Sequence, residues 1–204
     1  MKKASNKFLL GLLAIYAILF AVLAFNPVDR GTWFAENLTV WITIAVLAIL
    51  YARGVRFSAL AYVLMSIFVY LHTIGGHYTF EQVPFDRVTD MFGFERNHFD
   101  RIAHFSVGLY AFAVAEWIYV RGLVKNRFLL FTYPVFAVAA VAAGYEMVEW
   151  IYAASSDPVA GAAYLGSQGD IWEAQKDMLA DTLGALATTT LYFFIRKPKK
   201  SLPL

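Results

Sequence analysis

The chain contains no cysteine, which excludes disulfide bonds, thiolate metal sites and a cysteine nucleophile. Charged residues are also scarce, at 16% of the 204 residues compared with about 25% in soluble domains. The basic residues form no long run, so nucleic acid is not an expected partner. Apolar side chains are in excess, at 60% with a mean hydropathy of +0.56. This balance is typical of a protein that crosses a membrane several times.

Six apolar segments are each close to the roughly 20 residues that a helix needs to cross the hydrocarbon core of a bilayer. They cover residues about 8–25, 36–52, 57–76, 100–120, 128–153 and 174–195. The first is too long for the apolar core of a signal peptide and has no clear cleavage site after it, so we interpret it as a signal anchor. The sequence therefore predicts an all-α, polytopic membrane protein with six transmembrane helices in a single domain, residues 1–204.

The distribution of charge predicts how these helices are oriented. If the N-terminus is cytoplasmic, twelve of the 17 basic residues fall in cytoplasmic segments, as the positive-inside rule requires. These twelve are Lys2, Lys3, Lys7, Arg53, Arg56, Arg121, Lys125, Arg127, Arg196, Lys197, Lys199 and Lys200. An even number of helices then places both termini in the cytoplasm. Of the 15 acidic residues only Glu116 lies near the predicted inner face. We interpret loop acids such as Asp29 and Glu36 as ordinary solvated residues.

Acidic and histidine side chains lie near the outer ends of four predicted helices. Residues three or four apart share a helix face. Each helix therefore presents its polar residues on one face, namely Asp100 and His104 on the fourth, Glu146 and Glu149 on the fifth, and Asp177 and Asp181 on the sixth. A charged aspartate near the centre of a span costs about 2.5–3.5 kcal/mol, so these groups should face the interior of the bundle. Small residues continue two of the stripes, which favours close helix packing there. The set is His72, Asp100, His104, Glu146, Glu149, Asp177 and Asp181.

Carboxylates combined with imidazoles predict a site for a divalent cation. Such a mixed ligand set suits Zn²⁺, Mn²⁺ or Mg²⁺, whereas an all-oxygen set would suit Ca²⁺. The cation would also neutralise the buried acids. A water molecule bound there could act as a nucleophile, with Glu149, Asp181 or His104 as the catalytic groups. The sequence has no H-E-x-x-H, G-x-S-x-G or Walker motif, so it does not identify a reaction.

Several of these residues also have structural explanations. Asp100 fits the acid position of a helix cap, and Asp170 and Glu173 repeat that pattern at the sixth helix. Asp177 could instead be an interfacial residue beside Lys176. The two glutamates of the fifth helix could form internal pairs, and a lone histidine on the third helix is often a satisfied core residue.

Four polar stretches of the chain are similar to one known family. The stretches HTIGGHYTFEQVPF, NHFDRIAHFSVG, YEMVEW and GDIWEAQKDMLADTLGA resemble the YjdF-type bacterial inner-membrane proteins. The resemblance spans nearly the whole chain. It implies a six-helix protein of the bacterial inner membrane and brings no established activity with it.

A more distant resemblance is to the VanZ-like family, which is linked with teicoplanin resistance. Glu149 stands where that family has glutamine and Asp181 stands where it has asparagine, so this site is more acidic and favours a cation. The resemblance implies a role at the outer leaflet or the cell envelope. The residues that match the family pattern are Asp100, Arg101, His104, Phe105, Glu146, Asp177 and Gly184.

Three functions follow from these observations. The first is a metal-dependent membrane enzyme, of hydrolase type, whose substrate is a lipid or a lipid-linked envelope molecule. The second is a cation or proton-coupled transporter that uses the same acids, although few polar residues continue inward beyond Asp181. The third is a structural membrane protein whose polar cluster only fixes helix packing. The lipid bilayer is the expected environment, and the sequence does not indicate an oligomeric state.

Overall fold

A computed structural model of the chain describes residues 2–155 and 167–196. These residues form eight α-helices and one 3₁₀ helix, Ser167–Gly169, and they contain no β-strand, which confirms the predicted all-α class. The predicted cytoplasmic residues Lys197, Lys199 and Lys200, and most of the predicted loop 154–173, lie outside the described residues. The helices are α1 (Asn6–Leu23), α2 (Arg30–Ala52), α3 (Ala59–Tyr78), α4 (Asp86–Phe92), α5 (Phe99–Val107), α6 (Tyr110–Val120), α7 (Arg127–Ala154) and α8 (Glu173–Arg196).

Six segments of the described chain are long and apolar enough to cross a membrane, as predicted. Five are the single helices α1, α2, α3, α7 and α8, and the remaining one combines α5 and α6. Their ends lie within two residues of the predicted ones everywhere except at the start of α2. The side of the membrane on which each terminus lies stays a prediction.

Helix α2 begins six residues earlier than predicted because Asp29 caps it. An oxygen of the Asp29 side chain accepts a hydrogen bond of 2.6 Å from the backbone N–H of Thr32, which satisfies one of the donors at the helix start. The same hydrogen bond lowers the pKa of Asp29. The earlier start places Glu36 inside the helix, so the interpretation of Glu36 as a solvated loop residue is wrong.

The chain divides into two compact units, and the first comprises Met1–Ala103. In this unit α1 and α2 each pack against α3. Aromatic rings join α1 to α2, since the ring of Phe20 lies 5.5 Å from Trp33 and 5.9 Å from Trp41. The end of α3 is tied to the end of α1 by Nδ1 of His77, which lies 2.7 Å from the carbonyl oxygen of Leu23.

The second unit comprises His104–Leu204, and in it α6, α7 and α8 pack against one another. Its core is built from small and β-branched residues, namely Ala111 on α6, Val135 and Val138 on α7, and Ala185 on α8. Small side chains allow helices to approach closely, which is the usual basis of helix association in a membrane. The prediction of a single domain stays a prediction.

The predicted fourth helix is interrupted, because α5 ends at Val107 and α6 begins at Tyr110. At Gly108 the backbone of α8 occupies the space that a side chain would need, and the reverse holds at Gly184, where a Cβ would overlap the carbonyl oxygen of Phe105. The hydroxyl of Thr188 lies 2.9 Å from the carbonyl oxygen of Gly108. Close approach of two backbones therefore accompanies the break, and the predicted packing of the small-residue faces is confirmed.

Candidate functional site

The imidazole of His104, near the end of α5, lies between two carboxylates of α8 in the second unit. Its Nδ1 is 3.3 Å from Oδ2 of Asp181, and its Nε2 is 3.7 Å from Oδ1 of Asp177. Asp181 is 1% exposed and Asp177 is 4% exposed, so neither carboxylate is solvated as a surface acid would be. Of the seven residues predicted to form one site, these three lie together, and the site as a whole stays a prediction.

The helix crossing described above positions this cluster. His104 lies one turn before Gly108, and Asp181 lies three residues before Gly184, the two glycines at which the backbones meet. Asp177 precedes Asp181 by a further turn and therefore occupies the same face of α8. Because backbone atoms meet at the crossing, the separation of the imidazole and the carboxylates depends little on flexible side chains.

Helix α7 brings two further acids to the second unit. The ring of Tyr145 lies 6.5 Å from the ring of His104, so this turn of α7 is beside the cluster. Glu146 follows Tyr145 and is buried, with 9% of its surface exposed, and Glu149 is half-buried on the next turn. Tyr145 was not predicted as part of the site, although it directly precedes the predicted site residue Glu146.

Asp100 lies one turn before His104 on α5. Its carboxylate forms an ion pair of 2.9 Å with the guanidinium of Arg101. The helix start is capped by Asn97, whose side-chain oxygen accepts a hydrogen bond of 2.9 Å from the backbone N–H of Phe99. Asn97 therefore caps the helix start, and Asp100 has a charged partner in Arg101.

Asp170 and Lys176 form an ion pair of 2.8 Å at the start of α8. Asp170 also accepts a hydrogen bond of 3.2 Å from the backbone N–H of Trp172, which agrees with its predicted capping role. Lys176 therefore pairs with Asp170, and Asp177 faces His104. Glu173, the first residue of the helix, is buried with 9% exposure and continues the acidic stripe toward the start of α8.

His72 belongs to the first unit, where its Nε2 lies 3.0 Å from Oε2 of Glu36 on α2. The rings of Phe68 and Phe80 pack at 5.0 and 5.1 Å from the imidazole. The pairing of Glu36 with His72 was not predicted from the sequence. The signal was Asp29, a good N-cap residue whose position extends the helical pattern back past Glu36.

The donor chemistry of the second-unit cluster fits a divalent cation. An ionised carboxylate only accepts hydrogen bonds, so the contact with Asp181 selects the form of His104 that carries a proton on Nδ1. Nε2 is then the nitrogen whose lone pair can bind a metal. Two ligands about 2.1 Å from a tetrahedral zinc ion lie roughly 3.4 Å apart, which is close to the 3.7 Å between Nε2 and Asp177. A histidine that binds a metal through one nitrogen and a carboxylate through the other is a common arrangement.

Comparison with known proteins identifies the family. The model of the family described as "Predicted membrane protein (DUF2238)" matches residues 8–198. The chain belongs to this family. It is also 36% identical over 170 residues to the "Inner membrane protein YjdF" of Escherichia coli (strain K12), a match that covers 82% of this chain and 79% of that protein. No solved structure matches the chain.

These comparisons confirm the resemblance to YjdF-type proteins and, together with the six apolar helices, they show a membrane protein. They do not extend to the VanZ-like family, and that resemblance stays a prediction. The binding of a metal and any enzymatic activity also stay predictions.

Proposed function

We propose that the chain is a multi-pass protein of the bacterial inner membrane, with both termini cytoplasmic, that works as a metal-dependent enzyme of hydrolase type. Its substrate would be a lipid or a lipid-linked envelope molecule. The observation that carries the proposal is the buried imidazole of His104 between Asp177 and Asp181. The name of the Escherichia coli relative, an inner membrane protein, supports this location. Further candidate ligands or bases are Asp100, Glu146 and Glu149, and a role for His72 stays a prediction.

Electrostatics support a cation at this position. Asp177 and Asp181 are two buried carboxylates that share one imidazole, so even a protonated His104 leaves the three residues with a net negative charge. Buried Glu146 and Glu173 add to the acidity of the unit. Charges removed from water are costly unless they are paired or bind a metal. A divalent cation bound by the carboxylates that contact His104 would add positive charge to this acidic cluster.

The roles of the side chains follow from their positions. In the proposed site Asp181 holds the proton on Nδ1 of His104 and orients the ring, while Nε2 and Asp177 are ligands. A bound divalent cation polarises substrate oxygen atoms and lowers the pKa of water towards neutrality. Glu149 is half-buried on α7, so it retains access to solvent and is the proposed general base.

The helix crossing supports an enzyme more than a transporter. A carrier needs a polar path that continues inward from Asp181. Along α8 the next turn is Gly184, whose backbone meets that of α5, and the following buried residue on this face is Ala185. Both are small residues at a closely packed contact, and the hydroxyl of the next buried residue, Thr188, donates a hydrogen bond to the carbonyl oxygen of Gly108.

Metal analysis of the purified protein tests the cation site. We expect about one divalent ion per chain by mass spectrometry of the metals, and a higher melting temperature when that ion is added. His104→Gln and Asp177→Asn should lose the ion, whereas Asp90→Asn, a matched change of an exposed acid on α4, should keep it. A wild-type protein that carries no stoichiometric metal and does not respond to added metals would refute the site.

A second experiment separates the enzyme from the other functions. Wild-type protein and Glu149→Gln are incubated with a bacterial lipid extract and the metal, and the products are measured by mass spectrometry. We expect new products from the wild type that the folded variant does not form. If no product forms, the enzymatic part of the proposal is wrong. Ion flux in proteoliposomes that Asp181→Asn abolishes would establish the transporter instead.

A further inference from the structure

The first unit contains an apolar cavity that has no part in the acidic cluster. Its volume is about 450 Å³, and it is lined by α1, α2 and α3. Leucine, isoleucine, valine, methionine and alanine side chains make up most of the lining, and four tyrosines, Tyr16, Tyr51, Tyr62 and Tyr70, contribute to it. Ligand sites in proteins are typically of about 300–1,000 Å³, mostly apolar, with a few polar groups. The cavity has the size and composition of a binding site for an apolar molecule.

The cavity is elongated along the helices because α1 and α2 touch at its two ends. At one end the hydroxyl of Tyr51 donates a hydrogen bond of 2.6 Å to the side chain of Asn6. At the other end lies the aromatic contact of Phe20 with Trp33 and Trp41. The lining residues of α1 run from Asn6 to Tyr16, which corresponds to about 15 Å along a helix axis. A linear molecule therefore fits this space better than a compact one.

Its surroundings determine the chemistry of the occupant. The three helices are long and apolar enough to cross a membrane, so hydrocarbon is the solvent beside the cavity. The space is partly open to that hydrocarbon, since Leu10 and Leu13 of its lining are 64% and 50% exposed. An acyl chain is the linear, apolar molecule that the bilayer supplies at high concentration.

The end of the cavity near Asn6 and Tyr51 is basic. Backbone pairing of Ala4 with Phe57, at 3.1 Å, holds the N-terminal segment against the loop between α2 and α3. This brings the lysines of the N-terminal segment to the same end as the arginines of that loop. The basic residues at this end are Lys2, Lys3, Lys7, Arg53 and Arg56.

One of these arginines is coupled to the wall of the cavity. The guanidinium carbon of Arg56 lies 3.4 Å from the centre of the Tyr51 ring. Between residues 2 and 80 the only acids are Asp29 and Glu36, and both belong to the opposite end of α2. The basic end therefore has no acidic neighbours along the sequence of α1, the end of α2 or α3. Basic groups between membrane helices are a recognised binding site for anionic lipid head groups.

We propose that the first unit binds one anionic phospholipid, with an acyl chain in the cavity between α1, α2 and α3 and the phosphate at Lys7, Arg53 and Arg56. The predicted orientation places this lipid in the cytoplasmic leaflet, where anionic lipids attract basic segments. The site is independent of the cation and of any enzymatic activity of the second unit.

Native mass spectrometry of the detergent-purified full chain tests the proposal. The probes are phosphatidylglycerol and phosphatidylcholine with identical acyl chains, and we expect one phosphatidylglycerol per chain and much weaker retention of phosphatidylcholine. Each basic group near a membrane contributes about 1 kcal/mol, so Lys7→Gln combined with Arg53→Gln should weaken binding roughly thirty-fold. The matched control is Arg121→Gln combined with Lys125→Gln, which changes two exposed basic residues of the second unit.

Filling the cavity tests the position of the acyl chain. Ala48→Phe on α2 and Leu13→Phe on α1 both add bulk to lining residues, and each should reduce phosphatidylglycerol binding at least tenfold. Leu13 and Ala48 are both exposed, so we expect both variants to fold. The control Ala45→Phe alters an exposed residue of α2 that does not line the cavity. Wild-type binding by Leu13→Phe, or equal binding of the two lipids, would overturn the proposal.

Discussion

Replacing Gly184 with alanine tests whether direct backbone contact positions the candidate site. A Cβ at Gly184 would overlap the carbonyl oxygen of Phe105 and would lie 3.1 Å from Cα of Gly108. Both neighbours are backbone atoms, which cannot rotate away as a flexible side chain would. The new methyl group must therefore move α5 and α8 apart.

The size of the effect follows from two opposing contributions. Inserting a methyl group where no space exists costs up to about 3 kcal/mol, and the rigid neighbours favour the upper end of that range. Alanine is preferred over glycine inside a helix by about 1 kcal/mol, which offsets part of the cost. We expect a net loss of about 2 kcal/mol, or a fall in Tm of roughly 4–8 °C for a chain of this length.

Thermal unfolding in detergent measures this effect, and Gly144→Ala is the matched control. Gly144 is also inside a helix, α7, but a Cβ there would meet nothing within 4 Å. Only the helix preference acts at that position, so Tm should stay constant or rise. The two substitutions should thus shift Tm in opposite directions. If Gly184→Ala were as stable as the wild type, the close backbone contact would be wrong.

Three further substitutions test individual contacts. Asp181→Asn keeps the shape of the side chain but removes its charge, and we expect affinity for the proposed cation to fall about 10–100-fold in calorimetric titration, whereas Asp170→Asn leaves it unchanged. Glu36→Gln removes the carboxylate that faces the buried His72 and should lower the free energy of unfolding by about 1–3 kcal/mol; an unchanged Tm would show that the pair contributes nothing. Thr188→Val removes the hydroxyl that lies 2.9 Å from the carbonyl oxygen of Gly108, and we expect the free energy of unfolding to fall by about 1 kcal/mol in the same assay. An unchanged free energy would show that water replaces the lost donor.

The number and limits of the membrane helices could be predicted because each depends on a long local run of apolar residues. The shared face of Asp177 and Asp181 was likewise predictable from the helical period. The small residues that follow Asp181 and His104 predicted close packing of these faces, and the contact between Asp181 and His104 agrees with that packing. These features depend on local sequence or on a pattern repeated along one helix.

Features that depend on a partner helix were not predictable in the same way. The break at Gly108 was missed because a single glycine is often tolerated inside a helix, and only the position of α8 shows why the helix is interrupted here. The pairing of His72 with Glu36 was missed because the start of α2 depends on one capping hydrogen bond. An error of six residues at that helix end changed Glu36 from a loop residue into the helical partner of the buried His72.

Because Gly108 and Gly184 meet through backbone atoms, the position of the candidate site does not depend on which side chains form it. Backbone atoms set the spacing of α5 and α8, while the chemistry resides in the side chains one turn away. In the proposed cation site, the ligand at position 177 can therefore be exchanged without rebuilding the scaffold. Substituting glutamate or histidine there offers a route to redesign the preference of the site among divalent ions, provided that both glycines are retained.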